Sequence, residues 1–495
     1  MTVRRRSRHW AHVVLALVTI ASVSMVLVSA SPASAIPAFA RRYGMQCSAC
    51  HTAWPALNDA GYAFKMSGYR RYGGVALTPV TPDIELADGR LTLPAFPPVA
   101  FRVDMGFDFQ RVRRTAADGT TATRTGSSFD VNELELLAGS PLGKHLSFFV
   151  QYDLFETEIE RPTGPGEAND TGSRRSIKFE TEGPRVPGMA KLIWNSVLPD
   201  TIAPPDSLNV LGGVNELPLA FSPEHRRLSV APYLIYTRRA LDLLGGTPVD
   251  DLLTDDEQRQ LLRLSEEQIG VELNGMLPLG TGGMPTLEYH LGVTNGSNKD
   301  SDPNTEKDLF ARLAVRWHGQ SLGLFGYWSP DIYTNGMRTD HAIVAGGLFS
   351  GTQHRNEVRT FGPDLTLSLV PFSLPLWLET QALVNKETNP TGFRRSFEWW
   401  GGFAQLNWKP LDPVIVYARY DGLRGKRFDD TPEGGVTGPV RPREWDAVVG
   451  LQWYVLENFK VLGEYARHEF TNRAASPHHQ RVEGDVFSIR GALAF

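Results

Sequence analysis

Val99-Ala100-Phe101-Arg102-Val103-Asp104-Met105-Gly106-Phe107-Asp108-Phe109-Gln110 decides the fold of this chain. Phe101, Val103, Met105, Phe107 and Phe109 alternate with Arg102, Asp104, Asp108 and Gln110. A period of two sends one set to each face of a β-strand. The pattern returns at Leu309, Ala311, Leu313, Val315 and Trp317 against Asp308, Arg312, Arg316 and His318, and again at Trp445, Ala447, Val449, Leu451, Trp453 and Val455. A soluble sandwich alternates too, but with short strands and modest loops. Here the segments run roughly 10 to 13 residues and their apolar faces end in aromatic residues. Short connections alternate with long ones, as in a membrane-spanning barrel.

Working outward from that stretch, strands are expected at 99–112, 129–139, 145–156, 189–198, 207–216, 269–278, 285–296, 307–318, 320–330, 358–370, 374–386, 397–408, 413–424, 444–455, 458–469 and 485–495. The tight turns between them fall on one side. The links at 113–128, 157–188, 217–268, 297–306, 331–357, 387–396, 425–443 and 470–484 are longer and polar, and belong on the other. The total is about sixteen, an even number, as in single-chain bacterial barrels. The segments at 189–198 and 207–216 carry the weakest alternation, and Leu228 to Tyr236 reads equally as a strand, which would spoil the parity. Within the long link 217–268, Asp250 to Gln268 is helix-like, rich in Asp, Glu, Gln and Leu; it either folds into the lumen or forms a solvated acidic surface helix.

The chain ends at Phe495, with Phe487, Ile489 and Leu493 on the same strand face, the kind of ending that serves as an outer-membrane sorting signal. Residues 1–35 read as an export signal: Arg4, Arg5, Arg6 and Arg8 precede an apolar core from Val13 to Val28, and Ala33-Ser34-Ala35 closes it. No later stretch is apolar and long enough for a transmembrane helix. Over 495 residues the formal net charge is -5, which lacks the concentrated positive field that nucleic-acid partners require. A negative mean hydropathy of -0.24 agrees with a barrel, whose strands are only half apolar. Charged lumen positions such as Glu133, Glu135, Asp153, Lys460, Glu464 and His468 either guide cations or solvate the interior.

Cysteine occurs only in Cys47-Ser48-Ala49-Cys50-His51. C-x-x-C-H is the attachment run of a c-type haem: two thiols add to the porphyrin vinyl groups and the adjacent imidazole ligates iron. A redox dithiol would want a βαβ context that neither flank supplies, and a zinc site would want a second cysteine pair. Export of the chain suits haem attachment, which happens outside the cytoplasm. Residues 36–97 thus form a small haem region and linker ahead of a barrel at 98–495. In it, Pro55 to Met66 reads as one short helix capped at Gly68, and 78–98 as an extended proline-rich linker. About sixty residues is little for a free-standing core, so packing against something larger is expected.

The residues from Ile36 to Gly68 resemble the fused monohaem cytochrome-porins of the outer membrane, best known from iron-oxidising bacteria. The resemblance rests on Pro37, Phe39, Ala40, Arg41, Gly44, the Cys47 to His51 run, Pro55, Leu57, Phe64, Gly68 and Tyr69. It implies one covalent haem c, a cytochrome that plugs the periplasmic end of a barrel of about sixteen strands, and electron passage inward from extracellular Fe(II) to a periplasmic cytochrome or other carrier. Outer-membrane lipid would surround the barrel.

The sixth haem ligand stays open between Met66, close after the motif, and His145, which alternation puts on the lumen face just past a short turn; each also reads as a bystander, a core filler or a rim histidine. Met45 lies too near the proximal helix. Nothing resembles a catalytic triad, phosphate loop or multi-His metal centre, so hydrolase and transferase readings have no support. An Fe(II)-oxidising electron conduit leads. A solute porin whose haem domain is a structural plug or redox sensor is the alternative, and haem peroxidase chemistry is third.

Overall fold

The computed structural model describes residues 38–72, 75–86, 88, 91–115, 118–157, 177–178, 188–221, 227–244, 263–280, 285–296, 298, 305–330, 332–333, 354–390, 395–430, 438–472 and 481–495. The export signal expected at 1–35 lies outside them, as does most of Asp250 to Gln268.

Sixteen long antiparallel strands close into a barrel: β1 Val99–Thr115, β2 Thr121–Pro141, β3 Leu146–Thr157, β4 Met189–Trp194, β5 Asn209–Asn215, β6 Gln268–Pro278, β7 Thr286–Thr294, β8 Asp308–Trp317, β9 Gln320–Ser329, β10 Val358–Ser368, β11 Leu376–Glu387, β12 Phe397–Leu411, β13 Val414–Gly425, β14 Arg443–Leu456, β15 Phe459–Thr471 and β16 Arg481–Ala494. Neighbours in sequence pair throughout, and β16 pairs with β1 to close the ring. The weakly patterned β4 and β5 are true strands in register with each other.

Burial inverts the rule for soluble proteins. On β8, Leu309, Leu313 and Trp317 are 44%, 50% and 56% exposed, while Asp308 and Arg312 are each 1% exposed. The apolar face therefore points out and the polar face into the lumen, the arrangement that lipid demands of a barrel. Trp194, Trp317, Trp408 and Trp453 are exposed beside the short turns, and Trp328, Trp400 and Tyr420 are exposed nearer the other rim. They form the two aromatic belts of a membrane-spanning barrel.

One expected loop is largely strand. The link at 113–128 continues β1 and β2 as a long hairpin, with Arg113, Arg114 and Thr115 paired to Thr123, Ala122 and Thr121. Outside lipid a strand needs no apolar face, so its threonine-rich sequence hides the extension.

Leu228 to Tyr236 is not a strand. This part of the link after β5 turns into the lumen, where α4 (Leu234–Thr237) and α5 (Ala240–Leu244) pack on the inner wall. Tyr233, Ile235 and Tyr236 join Leu383, Trp399, Phe403 and Leu423 in one buried cluster. Lumen charges hold the in-turned backbone: Glu464 accepts from the amides of Val230 and Ala231, Asp421 from Leu234 and Glu387 from Ala240. Arg238 is bidentate on Glu444. Residues 228–244 thus narrow the lumen, whereas Asp250 to Gln268 lies mostly outside the described residues.

The region before the barrel sits in its short-turn end. It contains α1 (Ala38–Tyr43), α2 (Cys47–Cys50) and α3 (Asp59–Met66). The helix expected from Pro55 starts at Asp59, because the Asn58 side chain accepts from the Gly61 amide at 2.8 Å and caps it there. Its end is a Schellman motif: Gly68, at φ +61°, donates to Lys65 and Tyr69 to Phe64. A side chain on Gly68 would also meet Asn195 and Ser147 of the wall. The expected extended linker contains a hairpin, Asp83–Leu86 with Leu91–Pro94.

Candidate haem-attachment site

The C-x-x-C-H run folds as one helical turn followed by an extended His51. All carbonyls left open at the end of so short a helix need partners. Asn58 supplies three: its Nδ2 donates to the carbonyls of Ser48 (3.3 Å) and Ala49 (3.0 Å), and its backbone amide to that of Cys50 (2.9 Å). The Tyr72 hydroxyl donates to Ala49 at 2.9 Å. Gly61 lets α3 press against α2, since a Cβ there would lie 2.0 Å from the Cys50 carbonyl oxygen. At the start of α2 the Cys47 amide donates to Glu457 at 3.0 Å, a residue of the β14–β15 turn.

Behind the run, Phe39, Tyr43, Phe64 and Tyr69 form an aromatic core, with Phe39 stacked on Tyr69 at 4.4 Å and Tyr43 donating to the Tyr69 carbonyl at 2.7 Å.

Cys47 and Cys50 are free thiols, both partly exposed. Burial raises both pKa values, that of Cys50 to about 11. A redox dithiol relies on the opposite, a stabilised thiolate. His51 Nδ1 lies 3.2 Å from the Pro55 carbonyl oxygen, which commits the proton to that nitrogen and leaves the lone pair on Nε2, where it could ligate a metal. Burial holds the imidazole neutral, with a pKa lowered to about 4, and neutral imidazole is the ligating form. Two free thiols one turn apart and an oriented neutral imidazole fit a c-type haem.

The two candidates for the sixth ligand have these surroundings. Met66 is buried in a cleft between α3 and the wall, with Tyr62, Lys191 and His290, whose lining includes none of Cys47, Cys50 and His51. Asn209 holds its carbonyl at 3.1 Å. His145 stands in the β2–β3 turn, exposed, its Nδ1 3.2 Å from the Asn195 carbonyl oxygen. It precedes β3, so alternation along that strand does not reach it.

Of the expected lumen charges, Lys460, Glu464 and His468 face inward but are already engaged: Glu464 on the in-turned segment, His468 on Asp446 at 2.5 Å, and Lys460 on the Trp54 carbonyl at 3.0 Å. Glu133, Glu135 and Asp153 cluster on the wall with Arg102 bridging the first two. Nothing local in the sequence marks Asn58, Tyr72 or Glu457 as supports of the motif; of the wall residues that touch this region only the inward parity of Lys460 was visible.

No family model and no curated protein matches the chain. Among solved structures it is similar to an anion-selective porin from Comamonas acidovorans, at 11% identity and a TM-score of 0.45 over 80% of this chain and 99% of that one. It is also similar to a Salmonella typhi OmpF complex with daunomycin (12%, 0.42, over 83% and 100%) and to the outer-membrane channel DcaP of Acinetobacter baumannii (11%, 0.41, over 83% and 99%).

Proposed function

We propose that this protein is an electron conduit of the bacterial outer membrane, taking electrons from an extracellular donor such as Fe(II) and delivering them to a periplasmic carrier. The observation that carries the reading is the C-x-x-C-H run held on a stopper inside the short-turn end of a membrane-spanning barrel. A haem bound there would supply one-electron exchange between Fe(III) and Fe(II). Cys47 and Cys50 would hold its ring by thioether bonds and His51 Nε2 would hold its iron. Pro55 fixes the His51 tautomer, and Asn58 and Tyr72 fix the turn that presents all three. Neither Met66 nor His145 is assigned as sixth ligand.

The architecture favours charge over solutes. A solute porin needs an open lumen, whereas here α1 to α3 occupy one end and residues 228–244 line the wall above them. The lipid-facing apolar surface and the aromatic belts support an outer-membrane address, with the short turns and the stopper facing the periplasm.

The test uses intact anaerobic cells in which the haem is oxidised, with a His51→Ala strain as the blank. Reduced c-type absorption bands that rise rapidly after external Fe(II) is added support the conduit. Bands that appear only after the outer membrane is permeabilised sink it and favour the porin or sensor.

A further inference from the structure

Lys460 is a buried ammonium without an acid. It lies on the inner face of β15, 7% exposed. Its Nζ donates to the Trp54 carbonyl at 3.0 Å, approaches Gln452 Oε1 at 3.4 Å and sits 4.5 Å from the centre of the Trp54 ring. Among the described residues no carboxylate lies within ion-pair distance of it. Asp104, Glu133 and Arg102 act on it only from farther away. Buried lysines are rare and nearly always paired, because removing an ammonium from water costs several kcal/mol. The same two acceptors also face Tyr454, whose hydroxyl lies 2.8 Å from the Trp54 carbonyl oxygen and 2.6 Å from Gln452 Oε1 and donates to one of them. The loop that Lys460 grips, Trp54-Pro55, carries the carbonyl that orients His51.

We infer that Lys460 is a positioning residue for the proposed haem: it pins the Trp54-Pro55 loop and, as a buried positive charge beside His51, raises the midpoint potential of iron held there. The inference rests on the haem reading above. A cation stabilises the less positive member of a couple, so it favours Fe(II) over Fe(III), and in a buried setting water and salt screen it weakly. That direction suits a centre that must accept electrons from a mild donor. Lys460 reaches the loop that follows the motif across 406 positions of sequence, so the barrel wall, and not the small haem region alone, tunes the site.

The experiment is a spectroelectrochemical titration of the full-length holoprotein in detergent, comparing the native chain with Lys460→Met, Lys460→Arg and Lys409→Met. Lys409 lies near the turn end of β12 and pairs with exposed Asp412. Lys460→Met is expected to shift the midpoint potential downward, with the shift kept at high salt, while Lys460→Arg and Lys409→Met stay near the native value. Should Lys460→Met fail to fold, Lys460→Gln carries the same comparison. An unchanged potential in a folded, haem-loaded neutral variant overturns the inference, as does an equal shift in Lys409→Met. A native protein lacking the pyridine haemochrome spectrum overturns the haem reading itself, a distinguishable result.

Discussion

Asn58 works in both directions at the junction of two helices. Its Oδ1 caps α3 while its Nδ2 and backbone amide satisfy the last carbonyls of α2. Losing an N-cap costs about 1 kcal/mol, and stranding partly buried carbonyls adds a similar amount. Asn58→Ala should therefore lower the stability of the stopper by roughly 2 kcal/mol. Asn58→Asp keeps the cap but loses both side-chain donors, and should fall between. Thermal loss of near-ultraviolet dichroism in the purified chain gives the order, and equal midpoints for Asp and Ala would mean the cap contributes nothing. Gly68 is the sharper case. Its left-handed backbone and the closeness of Asn195 and Ser147 leave no room for a side chain, so Gly68→Val should prevent seating of the stopper, seen as faster proteolysis ahead of residue 98 in a barrel that keeps its folded gel mobility. Unchanged proteolysis would show that the close approach at Gly68 is dispensable.

At the scale of elements, α3 is bolted to the wall along one face. Asp59 accepts from the Gly319 amide at 2.6 Å, the Tyr62 hydroxyl donates to Glu288 and lies 3.3 Å from His290 Nε2, and the Arg316 guanidinium covers the Tyr62 ring at 3.8 Å. Lys65 reaches Glu216 at 3.7 Å. Each contact is worth on the order of 1 to 2 kcal/mol once desolvated. The pair Tyr62→Ala with Asp59→Ala should let the stopper rattle, so single-channel recordings of the native chain should be silent and those of the double variant should flicker. A folded double variant as silent as the native chain would place the hold elsewhere. How much of this was readable follows from what writes the pattern. Lipid outside and water inside stamp a period of two on β8 or β14, and covalent chemistry fixes the spacing from Cys47 to His51, so both stood out. No local period separates a strand from a lumen filler at Leu228 to Tyr236: both are apolar, and only the wall residues Asp421, Glu387 and Glu464, far along the chain, decide between them. The end of β1 at 113–115 and the start of β2 at 121–128 escaped notice because beyond the bilayer nothing demands an apolar face. Lys460 was legible as a lumen charge but not as a contact of the Trp54-Pro55 loop, because that partner is set by tertiary contact.

For the molecule as a whole, closure and obstruction are separate achievements. The ring closes where Phe101 and Phe495 exchange backbone hydrogen bonds at 2.7 and 2.9 Å and stack at 5.6 Å, so the last residue of the chain completes the first strand. The lumen is then obstructed twice, by α1 to α3 at the short-turn end and by residues 228–244 on the wall above. Two obstacles in series predict a graded opening. Loosening the stopper alone should give small conductance, because the in-turned segment still narrows the path. Replacing Leu228 to Leu244 by a glycine-serine linker in that background should enlarge it. The replacement also removes the partners that the segment gives to Glu387, Glu444 and Glu464, three lumen carboxylates, while Arg419 and Asp421 keep each other at 2.6 Å. A lumen so charged attracts cations. The reversal potential under a salt gradient should therefore indicate cation preference in the enlarged channel. Full-sized current from the stopper variant alone would remove the segment from the permeation path, and anion preference in the combined variant would mean that arginines such as Arg312 and Arg316, not these carboxylates, dominate the lumen field.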